Sequence, residues 1–228
     1  RLPEAALNAD DGAGAIRHVG RLALIADVQS RANSKILSTI ENAMTRIATD
    51  VGVTVENRLE ILIVGSLAGG TGAGMLVDIP MLCRAAAAQK FKGNIIVRGF
   101  IVTPRTFVSG ALGKGQDMLA RSFAAWRELD RMLITSSEYG ANQIKYSEKD
   151  PSLTITTGRR LYDSTYIIDP QRTKNPLDGL APEEGVFPAI ANAISAILDD
   201  SAGKAYSEQT INLSNTYFTL PLMPTQSA

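Results

Sequence analysis

Glu60-Ile61-Leu62-Ile63-Val64-Gly65-Ser66 runs directly into Leu67-Ala68-Gly69-Gly70-Thr71-Gly72-Ala73-Gly74, and this junction decides the fold. The first seven residues form a short, continuous, β-branched apolar run, as expected of a strand buried on both faces in a parallel sheet. The glycines that follow suit a phosphate loop. Only glycine lets backbone N–H groups come close to an anion with no side chain intervening. A helix expected over residues 73–88 would add the positive end of its dipole. Gly69, Gly70, Gly72 and Gly74 are placed for this, and the Thr71 hydroxyl can donate to a phosphate oxygen. The GxxxxGK[ST] loop is excluded because no lysine follows Gly70. The GxGxxG dinucleotide fingerprint fits poorly, since Gly72-Ala73-Gly74 is out of frame and no acidic residue ends a second strand about 20 residues on. A glycine turn needed only for helix–sheet packing is the competing reading.

Upstream, Asp11-Gly12-Ala13-Gly14-Ala15 opens an amphipathic pattern. Ile16, Val19, Leu22, Ala23 and Ala26, then Ile36, Leu37, Ile40, Ala43, Met44 and Ile47, recur at helical spacing. The stripe predicts a long helix bent near Arg31 to Ser34. Downstream, residues 94–102 read as a second buried strand and residues 103–115 as a Gly- and Pro-bearing loop. Residues 116–135 read as a helix, with Phe123 and Trp126 at core spacing. Residues 136–160 are polar and read as a surface excursion. Tyr166-Ile167-Ile168 reads as a third strand ending at the turn Asp169-Pro170, and residues 185–205 as a last helix. Strands alternating with helices predict a doubly wound α/β layer with a mostly parallel sheet and ligands at the carboxyl ends of its strands.

Composition narrows the function classes. Lys plus Arg equals Asp plus Glu at 23 each, so no basic field invites nucleic acid. A single cysteine, Cys83, forbids an intrachain disulfide, and a single histidine, His18, forbids a two-His metal site. The opening Arg1-Leu2-Pro3-Glu4 lacks the apolar core of a signal peptide and no apolar run is long enough to span a bilayer, so a cytoplasmic location is expected.

With Ala68-Gly69-Gly70-Thr71-Gly72-Ala73-Gly74 set beside the loop GGGTG[SA]G, the chain resembles the tubulin/FtsZ superfamily, with alanine for the first glycine. It is most similar to the divergent bacterial tubulin-like family, in which the stretch Gly12 to Leu24 has a counterpart. The resemblance implies a tubulin/FtsZ-type, Rossmann-like nucleotide-binding domain over residues 1–206, with residues 207–228 a tail or the start of a following domain. It implies a bound GTP or GDP, with Mg2+ held through the phosphates. Gly12, Ala13, Gly14 and Ala15 would form the family's third phosphate loop, with Arg17 neutralising phosphate charge or standing as a solvated helix residue. The ribose loop would be Val102 to Phe107, including Pro104, although Ser109 stands where FtsZ has an acid; Arg121 would contribute from the next helix. Asp169 stands where the family has Asn and would accept from guanine N1 and N2. Phe187 would stack on the base. Asn192 would supply the amide, one residue further along than in FtsZ.

Two parts of the family pattern are not found in this stretch. One is the first strand with its GxxGxG phosphate loop, expected before residue 10. The other is the acidic loop that polarises water across a subunit contact; its nearest counterpart, Asn212-Leu213-Ser214-Asn215, has no acid. Asp78 reads as an exposed helix residue, and no catalytic residue is assigned. The implied partner is the chain itself, in a longitudinal oligomer or filament, with other protein or membrane-associated partners to be expected and no nucleic acid. Three functions follow: a GTP-binding, self-assembling cytoskeletal protein; a hydrolysis-deficient nucleotide-binding scaffold or switch engaging protein partners; and an unrelated α/β enzyme using a dinucleotide.

Overall fold

A computed structural model describes residues 13, 16–49, 58–108, 115–133, 142–157, 160–170, 184–199 and 217–219. The long apolar stripe forms two helices, α1 (Arg17–Gln29) and α2 (Lys35–Thr49), parted by a single 3-10 turn at Arg31–Asn33. Arg31 carries a left-handed φ of 52°, which a continuous helix cannot accommodate. The bend is therefore a true break. Asp27 closes it by accepting from the amides of Lys35 and Ile36 at 3.0 and 3.1 Å, so a side chain of α1 caps the start of α2.

The decisive apolar run is β1 (Arg58–Ser66). After it come α3 (Gly70–Met75), α4 (Asp78–Lys90), β2 (Asn94–Val102), the short α5 (Arg105–Val108) and α6 (Gly115–Leu133). A hairpin of β3 (Asn142–Lys145) and β4 (Thr154–Thr157) precedes β5 (Ser164–Ile168), α7 (Val186–Leu198) and β6 (Tyr217–Thr219). The main sheet has the order β1-β2-β5-β6 with every pair parallel. Parallel neighbours need crossovers, and the helices supply them on both faces. One face packs Val97 and Ile101 of β2 against Leu24 and Val28 of α1, Met81 and Leu82 of α4, and Leu129 and Leu133 of α6. The other packs Phe100, Val102, Tyr166 and Ile168 against Val186, Ala189, Ile190 and Ile197 of α7. This is the doubly wound α/β layer that the alternation of strands and helices predicts.

Four expectations need correction. Both-face burial holds for β2 but not for β1: Val64 is 50% exposed, because α7 covers that face over β2 and β5 and does not reach it. The polar stretch 136–160 holds the β3–β4 hairpin, whose Ile144 and Tyr146 are buried in the larger core. Phe123 is 64% exposed, because it lies on the side of α6 opposite Ala125 and Leu129; Trp126 packs against the core as expected. Asp78 is fully buried, because two arginines of α1 and a tyrosine hydroxyl gather around it.

Candidate functional site

Strand register assembles the site. Ser66 of β1 pairs with Val102 of β2, and Val102 pairs with Ile168 of β5, so the three strands end level with one another. Their outgoing loops continue in step: Leu67 N–H donates to Val102 O at 3.0 Å, and Thr103 N–H to Ile168 O at 2.9 Å. The glycine loop, the Thr103–Phe107 loop and Asp169 therefore stand side by side at one edge. With strands about 4.8 Å apart, they span roughly 10 Å. This is the edge where open α/β sheets hold ligands.

The glycines have different jobs. A Cβ on Gly70 would come within 2.7 Å of Ala13 Cβ, Ala13 O and Ile16 N. One on Gly72 would meet Ser66 O at 2.8 Å, and one on Gly74 would meet Arg17 O at 2.5 Å. Packing alone accounts for these three. Gly69 is different: it is exposed, its φ of −86° suits any residue, and a Cβ there would meet nothing within 4 Å. A methyl at position 69 would meet none of the described atoms, so packing among them does not require glycine there. The first-turn N–H groups of α3 follow directly, and such groups have no acceptor within their helix. Thr71 is exposed beside them. Ala68 is buried, and its N–H is held by Ser66 Oγ at 3.0 Å. Ala73 packs in the core.

The candidate third loop meets the glycine loop. Ala13 is buried against Gly70, and Ile16 N–H donates to Ala13 O at 2.9 Å. Gly12, Gly14 and Ala15 lie outside the described residues. Arg17 begins α1, and its guanidinium pairs with Glu128 of α6. His18 is exposed.

At the other end of the edge, Thr103 Oγ1 donates to Asp169 Oδ2 at 2.9 Å and so orients that carboxylate. The sequence reading missed this link, whose only signal is a hydroxyl residue at the end of the neighbouring strand. Thr106, in α5 two residues beyond Pro104, is buried, with its hydroxyl unpartnered among the described residues. Ser122 of α6 donates to Leu67 O at 2.9 Å, which brings the first half of that helix beside the glycine loop; Arg121 is exposed there. Phe187 stands in the first turn of α7, 43% exposed, and Asn192 is exposed further along the same helix. Two grooves of about 390 Å³ lie elsewhere, along α4 and the β3–β4 hairpin, and neither is lined by the glycine loop. Among the described residues no cluster of His, Cys, Asp and Glu could hold a metal ion, and no helix is long and apolar enough to cross a membrane.

A family model described as "Tubulin like" matches residues 2–218. The chain belongs to the tubulin-like family. The match takes in β1 and the glycine loop, β2, β5 and β6, so the level strand ends belong to a tubulin/FtsZ-like domain. No curated protein and no solved structure matches the chain.

Proposed function

We propose that this tubulin-like chain binds a guanine nucleotide, GTP or GDP, at the level ends of β1, β2 and β5 and self-assembles through that nucleotide. The observation that carries the reading is Gly69: an exposed glycine with ordinary backbone angles and empty space beside it, next to first-turn amides and a hydroxyl. That is a cradle for an anion. The donors are backbone N–H groups and the Thr71 hydroxyl, a set that fits phosphate oxygens, and the loop carries no carboxylate. Mg2+ would therefore be held by the phosphates and not by a carboxylate of this loop. The family resemblance assigns Gly12, Ala13, Gly14 and Ala15 to the same anion, and Ala13 lies against Gly70. Pro104 and Arg121 serve the ribose. Asp169, held by Thr103, accepts from the guanine edge, and from α7 one of Phe187 and Asn192 meets the base, since five residues along a helix set the two about 140° apart.

A second reading is a nucleotide-binding scaffold or switch that does not hydrolyse its ligand; the absence of an acid from Asn212-Leu213-Ser214-Asn215 favours it. One experiment addresses both. The purified full-length protein is denatured and the released nucleotide resolved by chromatography, then the refilled protein is followed for GTP turnover. GDP or GTP at near one per chain is the expected result. Empty protein that also ignores added GTP would overturn the nucleotide reading, and sustained turnover would overturn the scaffold.

A further inference from the structure

The contact between α1 and the glycine helix α3 is made by backbone. A Cβ on Gly20 would lie 2.4 Å from Gly70 O, and one on Gly74 would lie 2.9 Å from Arg21 N. Side-chain ridges ordinarily lock two helices at one angle and one offset. Glycines let the two backbones approach closely, so few side chains interlock across this contact.

A cluster of charges stands beside it, in which Arg17 Nε and Asp78 Oδ2 have no hydrogen-bond partner among the described residues. Arg21 of α1 reaches two carboxylates: its Nε is 3.3 Å from Asp78 Oδ2 at the start of α4, and its NH1 donates to Glu128 Oε1 of α6 at 2.6 Å. Arg17, one turn earlier on α1, also pairs with Glu128. Tyr146, just after β3, donates its hydroxyl to Asp78 Oδ1 at 3.0 Å. Two cations meet two anions, so the cluster is neutral, and Asp78 is fully buried within it. It joins three helices and the hairpin at one point. A partly buried ion-pair network of this kind contributes little net stability against an apolar replacement, but the members around a fully buried carboxylate tolerate few alternative arrangements. Such a network selects one geometry.

We infer that the Asp78–Arg21–Glu128–Arg17 network is a positioning device: it fixes the offset of α1 on α3 and thereby sets Ala13 and Ile16 against Gly70. None of the four side chains needs to touch a ligand. Arg17 and Arg21 act through the helix that carries them, and Asp78 and Glu128 act by anchoring those arginines. The link to ligand binding rests on the nucleotide reading above; the link to α1 does not.

The test uses the full chain with Asp78→Asn and, because Glu128 is partly exposed and its replacement leaves the core packed, Glu128→Gln. Amide hydrogen exchange is read at residues 16–20 and 70–74, against residues 96–102 of β2 as the internal reference. GTP affinity is measured by calorimetry. In both variants exchange should accelerate about tenfold at 16–20 and 70–74 but not in β2, and GTP affinity should fall about tenfold at an unchanged stoichiometry. Unchanged exchange at 16–20, or acceleration shared equally by β2, would overturn the inference. So would unchanged GTP affinity in variants of a wild-type chain that binds GTP. If the wild type binds no GTP, the nucleotide reading fails by itself and the exchange pattern decides the positioning role.

Discussion

Single residues separate a ligand loop from a packing turn. Gly70→Ala pushes a methyl into Ala13 and Ile16, a rigid backbone neighbourhood, and overpacking of that kind costs about 1–3 kcal/mol. Gly69→Ala meets nothing, so its stability should stay within about 0.5 kcal/mol of wild type. The two variants should therefore split: urea denaturation falls to lower midpoints for Gly70→Ala alone, while Gly69→Ala keeps its midpoint and loses GTP affinity. A Gly69→Ala variant with full affinity would sink the cradle. Cys83 offers a second residue-scale check. Burial pushes its thiol up to about 11, so the nucleophilic thiolate is scarce at neutral pH. A thiol reagent should label the native protein far more slowly than the urea-unfolded chain, and equal rates would mean that α4 is not packed as described. The glycine run was legible at this scale. What each glycine is for was not, because Gly70 is defined by Ala13 and Gly74 by Arg17, far away in the chain.

At the scale of elements, the break between α1 and α2 makes a pH prediction. Desolvation is the largest single influence on Asp27 and raises its carboxyl, yet the hydrogen bond from Ser34, the amides of Ile36 and Lys35 and the Lys35 charge together hold it below the usual range. A folded-state pKa below the unfolded one gives stability that is present above the unfolded value, about 3.9, and is lost as pH falls through the folded value. Asp27→Ala should thus cost about 1 kcal/mol at neutral pH, the worth of a helix cap. The difference from wild type should shrink below about pH 4. Thermal melts of both proteins at pH 7 and pH 3 measure it; a pH-independent difference would show that Asp27 caps nothing. The bend itself was legible from polar Arg31 to Ser34 interrupting an apolar stripe. The hairpin was not: β3 and β4 are four residues each, with few apolar positions to set a period. Asp78 was misread for a related reason, since a carboxylate on a helix signals exposure unless its partners are known. Here they come from α1 and the segment after β3.

For the whole molecule, fold and family were readable because β1, β2 and β5 are apolar runs, and a pattern of that length survives substitution at single positions. The end proposed to meet the base was less readable: Asp169 is oriented by Thr103, and the position of Phe187 depends on how α7 returns to the sheet. Saturation with nucleotide tests the assembled edge in one measurement. A ligand at 100 times its dissociation constant adds ~2.7 kcal/mol, and for a chain of this size that raises the melting temperature by roughly 5–10 °C. GTP and GDP should both produce the shift, because each places phosphate beside Gly69, whereas ATP should fall short if Asp169 reads the guanine edge. Replacing Asp169 with Leu should then erase the preference between GTP and ATP while leaving the phosphate contribution in place. If every nucleotide shifts the melt equally in the wild type, the base end of the site has no selectivity, and anion capture by the glycine loop alone accounts for binding.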